Sequence, residues 1–331
     1  MDAPAGDRTA IGWSDGVIVF RDPAEVPADF GRSAVAIGKF DGVHAGHRAV
    51  IGRLKAEAAA TGARAVAVTF DRNPLAVLRP DRCPENVVSV ERKLELLTEL
   101  ELDATLLLTF DEAMASRSAE DFVTEVLVSA LRVSTVLVGA DFRFGRGGAG
   151  DPDLLRALGP QHGFTVDVVD DVYLPGADRR VSSTWIRELL IEGDVATAAT
   201  ALGREVDVRG EVVRGLQRGR ELGYPTANLS TVVDAFVPAD GVYAGWLADH
   251  DTGLRHPAAI SVGTNPTFDD VPERQVEAHV IGETGLDLYG HDVSVVFVQR
   301  LRGMVAFDGV ERLKAQMAAD VVEAQARLSA R

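Results

Sequence analysis

The chain has 331 residues and a formal net charge of −16, a balance that argues against a nucleic-acid binder, which needs a basic face, but leaves room for anionic small molecules met by local arginines, glycine turns and magnesium. Its single cysteine, Cys83, excludes an internal disulfide and fits a reducing cytosol. No apolar run reaches the roughly 20 residues of a membrane span, and the length suffices for about two domains with real cores.

Residues 1–15 are polar, carry Ala, Pro and Gly, and lack the apolar centre of a secretion signal; they read as a disordered lead-in. From 33 to about 172, short branched apolar runs at 34–38, 65–70, 104–110, 135–140 and 165–169 alternate with helical patterns such as 47–61 and 89–100. The runs are nearly continuous, as expected of parallel strands covered on both faces. Ser118-Ala119-Glu120-Asp121 reads as a capping box ahead of Phe122, Val123, Val126 and Leu127. The pattern predicts a doubly wound α/β domain over 16–191, with ligands at the carboxyl ends of its strands.

At the first such end stands Gly38-Lys39-Phe40-Asp41-Gly42-Val43-His44-Ala45-Gly46-His47, opening a helix with Val50, Ile51, Leu54 and Ala58 on one face. A glycine-rich strand-to-helix turn aims N–H groups and the helix's positive end outward, which suits phosphate. Two histidines at that mouth can each donate to phosphate oxygens. Taken alone, a tight turn with exposed histidines or a His-x-x-His metal pair explains the stretch as well. The catalytic helix-zinc pattern, with histidines at i and i+4 around a glutamate, is absent.

Further ends carry Thr69-Phe70-Asp71-Arg72-Asn73-Pro74 and Val138-Gly139-Ala140-Asp141-Phe142-Arg143-Phe144-Gly145. The next stretch, Gly145 to Gly150, is a literal Gly-x-Gly-x-x-Gly before a helical run at 151–158, with Asp170 where a dinucleotide fold wants its ribose acid. Residues 141–144 nevertheless separate the strand from the first glycine, whereas the fingerprint turn leaves its strand directly. Ser182-Ser183-Thr184-Trp185-Ile186-Arg187 places hydroxyls at a helix start with an arginine one turn in. That suits either a pyrophosphate cradle or a plain cap.

Beyond about 202, runs at 208–213, 242–248, 258–262, 276–281 and 293–298 are separated by Gly, Pro, Asn and Asp, and a helical pattern returns only at 310–328. A compact antiparallel barrel with a C-terminal helix over 205–331 follows, joined through a linker helix over 192–204. Gly210-Glu211-Val212-Val213-Arg214-Gly215 precedes Gly219-Arg220-Glu221-Leu222-Gly223-Tyr224-Pro225-Thr226-Ala227-Asn228. No Gly-x-x-x-x-Gly-Lys-Ser/Thr occurs, so this is not a Walker loop. Then come Pro238-Ala239-Asp240-Gly241-Val242-Tyr243, Asn265-Pro266-Thr267-Phe268, Val276-Glu277-Ala278-His279, Asp287-Leu288-Tyr289-Gly290 and Leu301-Arg302-Gly303-Met304-Val305-Ala306-Phe307. On sequence alone Glu277 is equally a buried carboxylate or the outward half of an alternating strand, and His279 is structural by default.

Together these motifs resemble the bifunctional bacterial riboflavin kinase/FAD synthetases, with an HxGH nucleotidyltransferase half followed by a riboflavin kinase half. The resemblance implies that riboflavin is phosphorylated by ATP to FMN in the barrel and that FMN is then adenylylated to FAD in the α/β half, with magnesium in both. It implies a cytoplasmic enzyme whose partners are riboflavin, FMN and ATP, with no nucleic acid or membrane; a homo-oligomer stays open. In the transferase half it makes His44, His47 and Arg187 catalytic. It gives ATP and phosphate contacts to Gly38, Phe40, Asp41, Gly46, Asn73, Ser183 and Thr184. In the kinase half Glu277 is the general base, Gly219, Arg220, Thr226 and Asn228 face ATP, and Thr226 and Asn228 hold the metal. Asp141, Tyr243, Arg302 and Phe307 would contact flavin. The chain departs from the family where Arg72 and Asn73 replace the commoner Pro and His. It departs again after Arg302, where the Glu and Lys of Arg-x-Glu-x-Lys-Phe are missing. Rival readings are a kinase alone, a flavin-storage protein and a nicotinamide-dependent oxidoreductase.

Overall fold

The apolar runs of the first half pair in parallel. The computed structural model describes residues 18–215, 218–230, 233–263, 274–283 and 285–330. Among them the strands are β1 Ile18–Phe20, β2 Ser33–Ile37, β3 Arg64–Phe70, β4 Ala104–Leu108, β5 Val133–Gly139 and β6 Thr165–Val169, in sheet order β1-β4-β3-β2-β5-β6. Every position of β2 and β4 is buried, which is why neither shows a polar alternation in sequence. From β2 the chain steps outward to β3 and β4, then returns to β5 on the other side of β2. The β2–β5 boundary is therefore the topological switch point, where folds of this kind seat ligands.

The helices, in chain order, begin with α1 Ala45–Thr61, α2 Leu75–Leu78, α3 Val90–Thr98, α4 Glu112–Ser116, α5 Ala119–Asp121 and α6 Pro152–His162. The predicted capping serine starts α5, its Oγ accepting from the Asp121 N–H at 2.9 Å. The chain then continues as a π-helix, Phe122–Ala130, whose Phe122, Val123, Val126 and Leu127 pack into the sheet core with Val35, Leu106 and Val136.

Next come α7 Ser183–Glu192 and α8 Val195–Leu202, followed by a closed barrel. One helix, α8, lies within the 192–204 segment, and α7 ends at that segment's first residue. Gly193, at φ 80°, ends α7 with its N–H on the Leu190 carbonyl at 3.1 Å. Asp194 then caps α8, accepting from the Thr197 N–H at 3.0 Å.

The barrel has β7 Val206–Val213, β8 Ala227–Leu229, β9 Gly241–Asp249, β10 Arg255–Gly263, β11 Gln275–Val280 and β12 Asp292–Arg302, ordered β10-β11-β8-β7-β12-β9 and antiparallel throughout. The short α9 Arg218–Glu221 precedes β8. α10 Val310–Ser329 closes the chain, laying Ala324 and Leu328 against Ala244, Ile281 and Val298.

Contacts divide the chain into two compact units. One holds the sheet with Arg48–Cys83 and Leu94–Asp170; the other holds Phe40–His47, Pro84–Lys93 and everything from Asp171 onward. The expected lead-in at 1–15 and the motif at 265–268 lie outside the described residues.

Candidate active sites

The turn after β2 is strained. Phe40, Gly42 and Val43 take φ of 48°, 80° and 42°, a region that bulky and β-branched residues rarely enter. Phe40 and Val43 are fully buried, and such strain persists only where packing over-determines it. His44 follows, and its Nδ1 accepts the His47 N–H at 3.3 Å, as a capping side chain would. In the neutral ring the proton is therefore on Nε2. The His44 and His47 rings stack with centroids 3.6 Å apart, and Phe40 stands edge-on to His47. A Cβ on Gly46 would lie 3.1 Å from the His44 ring, so glycine between the histidines is what admits that stack. His44 is 6% exposed. Burial, chiefly, lowers its pKa from 6.5 to about 4; a backbone hydrogen bond opposes the shift and the positive charge of Arg180 adds to it.

Asp41 fastens this turn. Its carboxylate accepts the Val87 N–H at 2.8 Å and Arg187 Nη2 at 2.6 Å, while its carbonyl accepts Ser183 Oγ at 2.8 Å. Arg187 Nε donates to the Glu85 carbonyl at 2.6 Å. Asp41 and Ser183, expected on phosphate, and Arg187, expected to be catalytic, here hold the turn to α7. Ser182 caps that helix through the Trp185 N–H, and Thr184 stands exposed in its first turn. Arg180, which pairs with Asp171 at 3.1 Å and faces His44, was not singled out from the sequence. The signal was present as an arginine two residues before the capping serine.

In the sheet unit, Gly38 follows β2 with its N–H on the Val68 carbonyl, and Asp141 is exposed beyond the end of β5. Asn73 is buried and its Oδ1 accepts the Leu75 N–H at 3.1 Å, a cap that does not use its amide nitrogen. Arg72 forks onto Asp71 at 3.1 Å. Burial of Asp71 works to raise its pKa, but Arg72 and the Phe110 N–H outweigh it and hold the carboxyl below its usual range.

The barrel site is built on the β8–β11 pair, where Glu277 lies directly opposite Asn228. Thr226 Oγ1 donates to Glu277 Oε2 at 3.1 Å, and Asn228 Nδ2 donates to the Thr226 carbonyl at 3.1 Å. A Cβ on Gly215 would come 2.4 Å from Asn228 Oδ1, and one on Gly219 2.4 Å from the Tyr224 carbonyl, so both glycines permit close loop approach. Burial raises the Glu277 pKa, and the Thr226 hydroxyl offsets this only in part. His279 Nδ1 donates to the Pro225 carbonyl at 2.8 Å and so steadies the loop before Thr226. Beside these residues opens a pocket of about 280 Å³, lined among others by Gly215, Thr226, Asn228, Leu286, Leu288 and Tyr289, with Arg214 over the Tyr289 ring at 5.4 Å. Sequence reasoning gave Arg214, Leu286, Leu288 and Tyr289 no role. Arg220 lies in α9, and its side chain is outside the described residues.

A sequence model of the FAD synthetase family matches residues 26–185, and one of the riboflavin kinase family matches 202–328. The bifunctional riboflavin kinase/FMN adenylyltransferase of Escherichia coli K12 is 34% identical over 294 residues, covering 88% of this chain and 91% of that one. The chain belongs to the bifunctional riboflavin kinase/FMN adenylyltransferase family. The namesake from Pseudomonas fluorescens is 37% identical over 89% of this chain and 93% of its own. A crystal structure of a macrolide-efflux protein from Streptococcus pneumoniae superposes with a TM-score of 0.81 at 30% identity, covering 92% of this chain and 97% of that one. Among the described residues no helix is long and apolar enough to cross a membrane.

Four further groups lie elsewhere among the described residues. Tyr243 is fully buried, donates its hydroxyl to the Ala239 carbonyl and meets Phe297 edge-on, so its ring belongs to the barrel core. Arg302 forks onto Asp320 of α10 at 2.9 and 2.7 Å and lies over Phe307 at 5.7 Å; none of these lines the pocket. The Gly-x-Gly-x-x-Gly stretch forms a loop closed by paired hydrogen bonds between Phe144 and Gly150. Asp151 caps α6 there, placing a carboxylate where a dinucleotide would need its pyrophosphate, and the dinucleotide reading falls. Asp249, Asp251 and His291 bring ligand atoms within 4.8 Å of one another. Asp249, however, accepts from the Asp251 N–H at 3.0 Å and the Thr252 hydroxyl at 2.7 Å, which makes the group a closure of the β9–β10 turn.

Proposed function

We propose that the chain phosphorylates riboflavin with ATP to FMN in the barrel and then transfers AMP from a second ATP to FMN at the turn after β2, releasing pyrophosphate. The observation that carries this reading is the Glu277 carboxylate, held by Thr226 opposite Asn228 beside the pocket that Thr226 and Asn228 line. A carboxylate whose pKa is raised by burial suits proton removal from the terminal ribityl hydroxyl as its oxygen attacks the γ-phosphorus and ADP leaves. Leu286, Leu288 and Tyr289 offer an apolar and aromatic wall for adenine. Hard oxygen donors at Thr226 and Asn228 fit magnesium, which when bound neutralises phosphate charge.

For adenylyl transfer, a phosphate oxygen of FMN attacks the α-phosphorus of ATP in line with the leaving pyrophosphate, and no side-chain nucleophile is required. His44 acts as a neutral Nε2–H donor, with His47, Thr184 and the backbone about Gly46 as further phosphate contacts. Asp41, Ser183 and Arg187 hold the turn that presents them, with Phe40 buried beneath it. Gly38 and Asn73 serve the nucleotide and Asp141 a hydroxyl of the flavin or ribose. The two activities divide within 192–204, and the reducing cytoplasm suits the lone Cys83.

Purified protein with riboflavin, ATP and magnesium, followed by chromatography of flavins over time, is expected to show FMN rising and then giving way to FAD. Glu277→Gln should lower FMN formation by roughly 10²–10⁴-fold while FAD still forms from supplied FMN. His47→Ala should do the reverse. FMN without FAD in the parent protein would reduce the reading to a kinase alone, and loss of both products in either variant would make that residue a fold residue.

A further inference from the structure

Asp207 stands on β7, the first barrel strand, yet its carboxylate serves the turn that carries His44. Oδ1 accepts Arg204 Nη1 at 3.1 Å, and Oδ2 faces Arg92 Nη2 at 3.5 Å. The three side chains are 15%, 14% and 19% exposed, in the order Asp207, Arg204, Arg92. Arg204 Nη2 reaches on to the Gly42 carbonyl at 3.4 Å, in the middle of the strained turn. Arg92 lies in the first turn of α3, where its N–H is capped by Ser89 Oγ at 3.0 Å.

The strap ahead of α3 holds the same turn by a second route. The Val87 N–H is the donor to Asp41, and the Val87 side chain lies 2.9 Å from where a Cβ on Gly42 would be. This strap is stitched to the segment after β8. The Phe236 N–H donates to the Val87 carbonyl at 3.0 Å, and the Ser89 N–H donates to the Asp234 carbonyl at 2.6 Å. Asp234 Oδ1 accepts the Arg209 N–H of β7 at 2.8 Å. One barrel strand therefore anchors both holds on the turn, and Asp207 is the carboxylate common to the two arginines.

Resting on the assignment of adenylyl transfer to this turn, we infer that Asp207 is a positioning residue for that reaction. Its charge aims Arg204 at the Gly42 carbonyl, and this keeps Phe40, Gly42 and Val43 in conformations they leave when the surroundings loosen. In an enclosed setting a carboxylate shared by two guanidinium groups is a strong and directional tie. Among the described residues Asp207 has no contact to Glu277, Thr226 or Asn228, whose mutual contacts join β11 to β8 and the residue before it. The kinase reaction of the same chain is thus an internal report on whether the barrel is folded.

The test uses full-length Asp207→Asn and Asp207→Glu, with FAD formation from supplied FMN, FMN formation from riboflavin and thermal unfolding measured on each preparation. Misplacing the turn by about 1 Å predicts that Asp207→Asn lowers kcat for FAD formation roughly 10–100-fold while FMN formation stays within about twofold. Asp207→Glu, which restores the charge, should recover most of the loss. Unchanged FAD formation in Asp207→Asn would overturn the inference. So would a parallel fall of both activities with the folded fraction, which is what a purely structural residue predicts. A parent protein that forms FMN but no FAD would bring down the underlying assignment itself.

Discussion

His44 is a histidine that its surroundings keep uncharged. Between about pH 4 and 6.5 its ring holds fewer protons in the folded state than in the unfolded chain. The stability it contributes is therefore complete above 6.5 and drains away as pH falls toward 4. Relative to pH 7.5, its share of the loss by about pH 5.5, still above the isoelectric point near 4.9, comes to ~1.4 kcal/mol. His44→Asn keeps a side-chain acceptor for the His47 N–H and removes the titrating ring. Urea unfolding at the two pH values should show the parent losing about that much more stability than the variant, and parallel losses would place His44 at an ordinary pKa. Both histidines were legible as a motif, because glycine and histidine at fixed spacing survive as letters. The charge state was not. It depends on burial and on Arg180, which approaches only when the chain is folded. The partners of Asp41 and Arg187 were hidden for the same reason: a polar residue is visible in a sequence, but its partner at Val87 or Glu85 is not.

At the scale of elements, periodicity located β2 to β6, α1 and α10, and the runs of β7, β9, β10, β11 and β12, to within a few residues. β1 and β8 escaped because three residues carry no period. The π-helix escaped because its hydrogen bonds, such as Leu131 N–H to the Val126 carbonyl at 3.1 Å, run one residue longer than an α-helical reading assumes. The boundary between α7 and the linker helix α8 is readable in the letters, since Gly193-Asp194 is a helix stop followed by a cap. At the barrel's end, Arg302 and Asp320 join β12 to α10 with side chains 22% and 8% exposed. Removing one member of so enclosed a pair costs about 3 kcal/mol, so Asp320→Ala should lower the urea midpoint accordingly. Arg302→Met with Asp320→Leu should recover most of the loss, because well-packed apolar replacements of a buried pair are often neutral. If Asp320→Ala instead weakened riboflavin binding at unchanged stability, Arg302 would return to the flavin site that its motif suggested.

Over the whole molecule, the compact units do not follow the two family halves. Phe40–His47 and Pro84–Lys93 cluster with the barrel and not with the sheet. No sequence pattern announces this, since it arises from tertiary bonds such as Val87 N–H to Asp41. The charge of −16 also belongs to this scale. FMN leaves the kinase reaction as an anion, and the field of an acidic protein repels it at distances up to the screening length of ~8 Å at physiological salt. No electrostatic retention is then available to keep newly made FMN from the bulk. With labelled riboflavin, ATP, magnesium and an excess of unlabelled FMN, the label in FAD should match the label in the dissolved FMN pool at every time point. FAD should also appear after a lag when no FMN is supplied. Lowering the ionic strength lengthens the screening distance and should leave the match intact. FAD richer in label than the pool at early times would show instead that FMN passes between the two reactions without release, and the repulsive field would then have to be overcome by a local positive path along the protein.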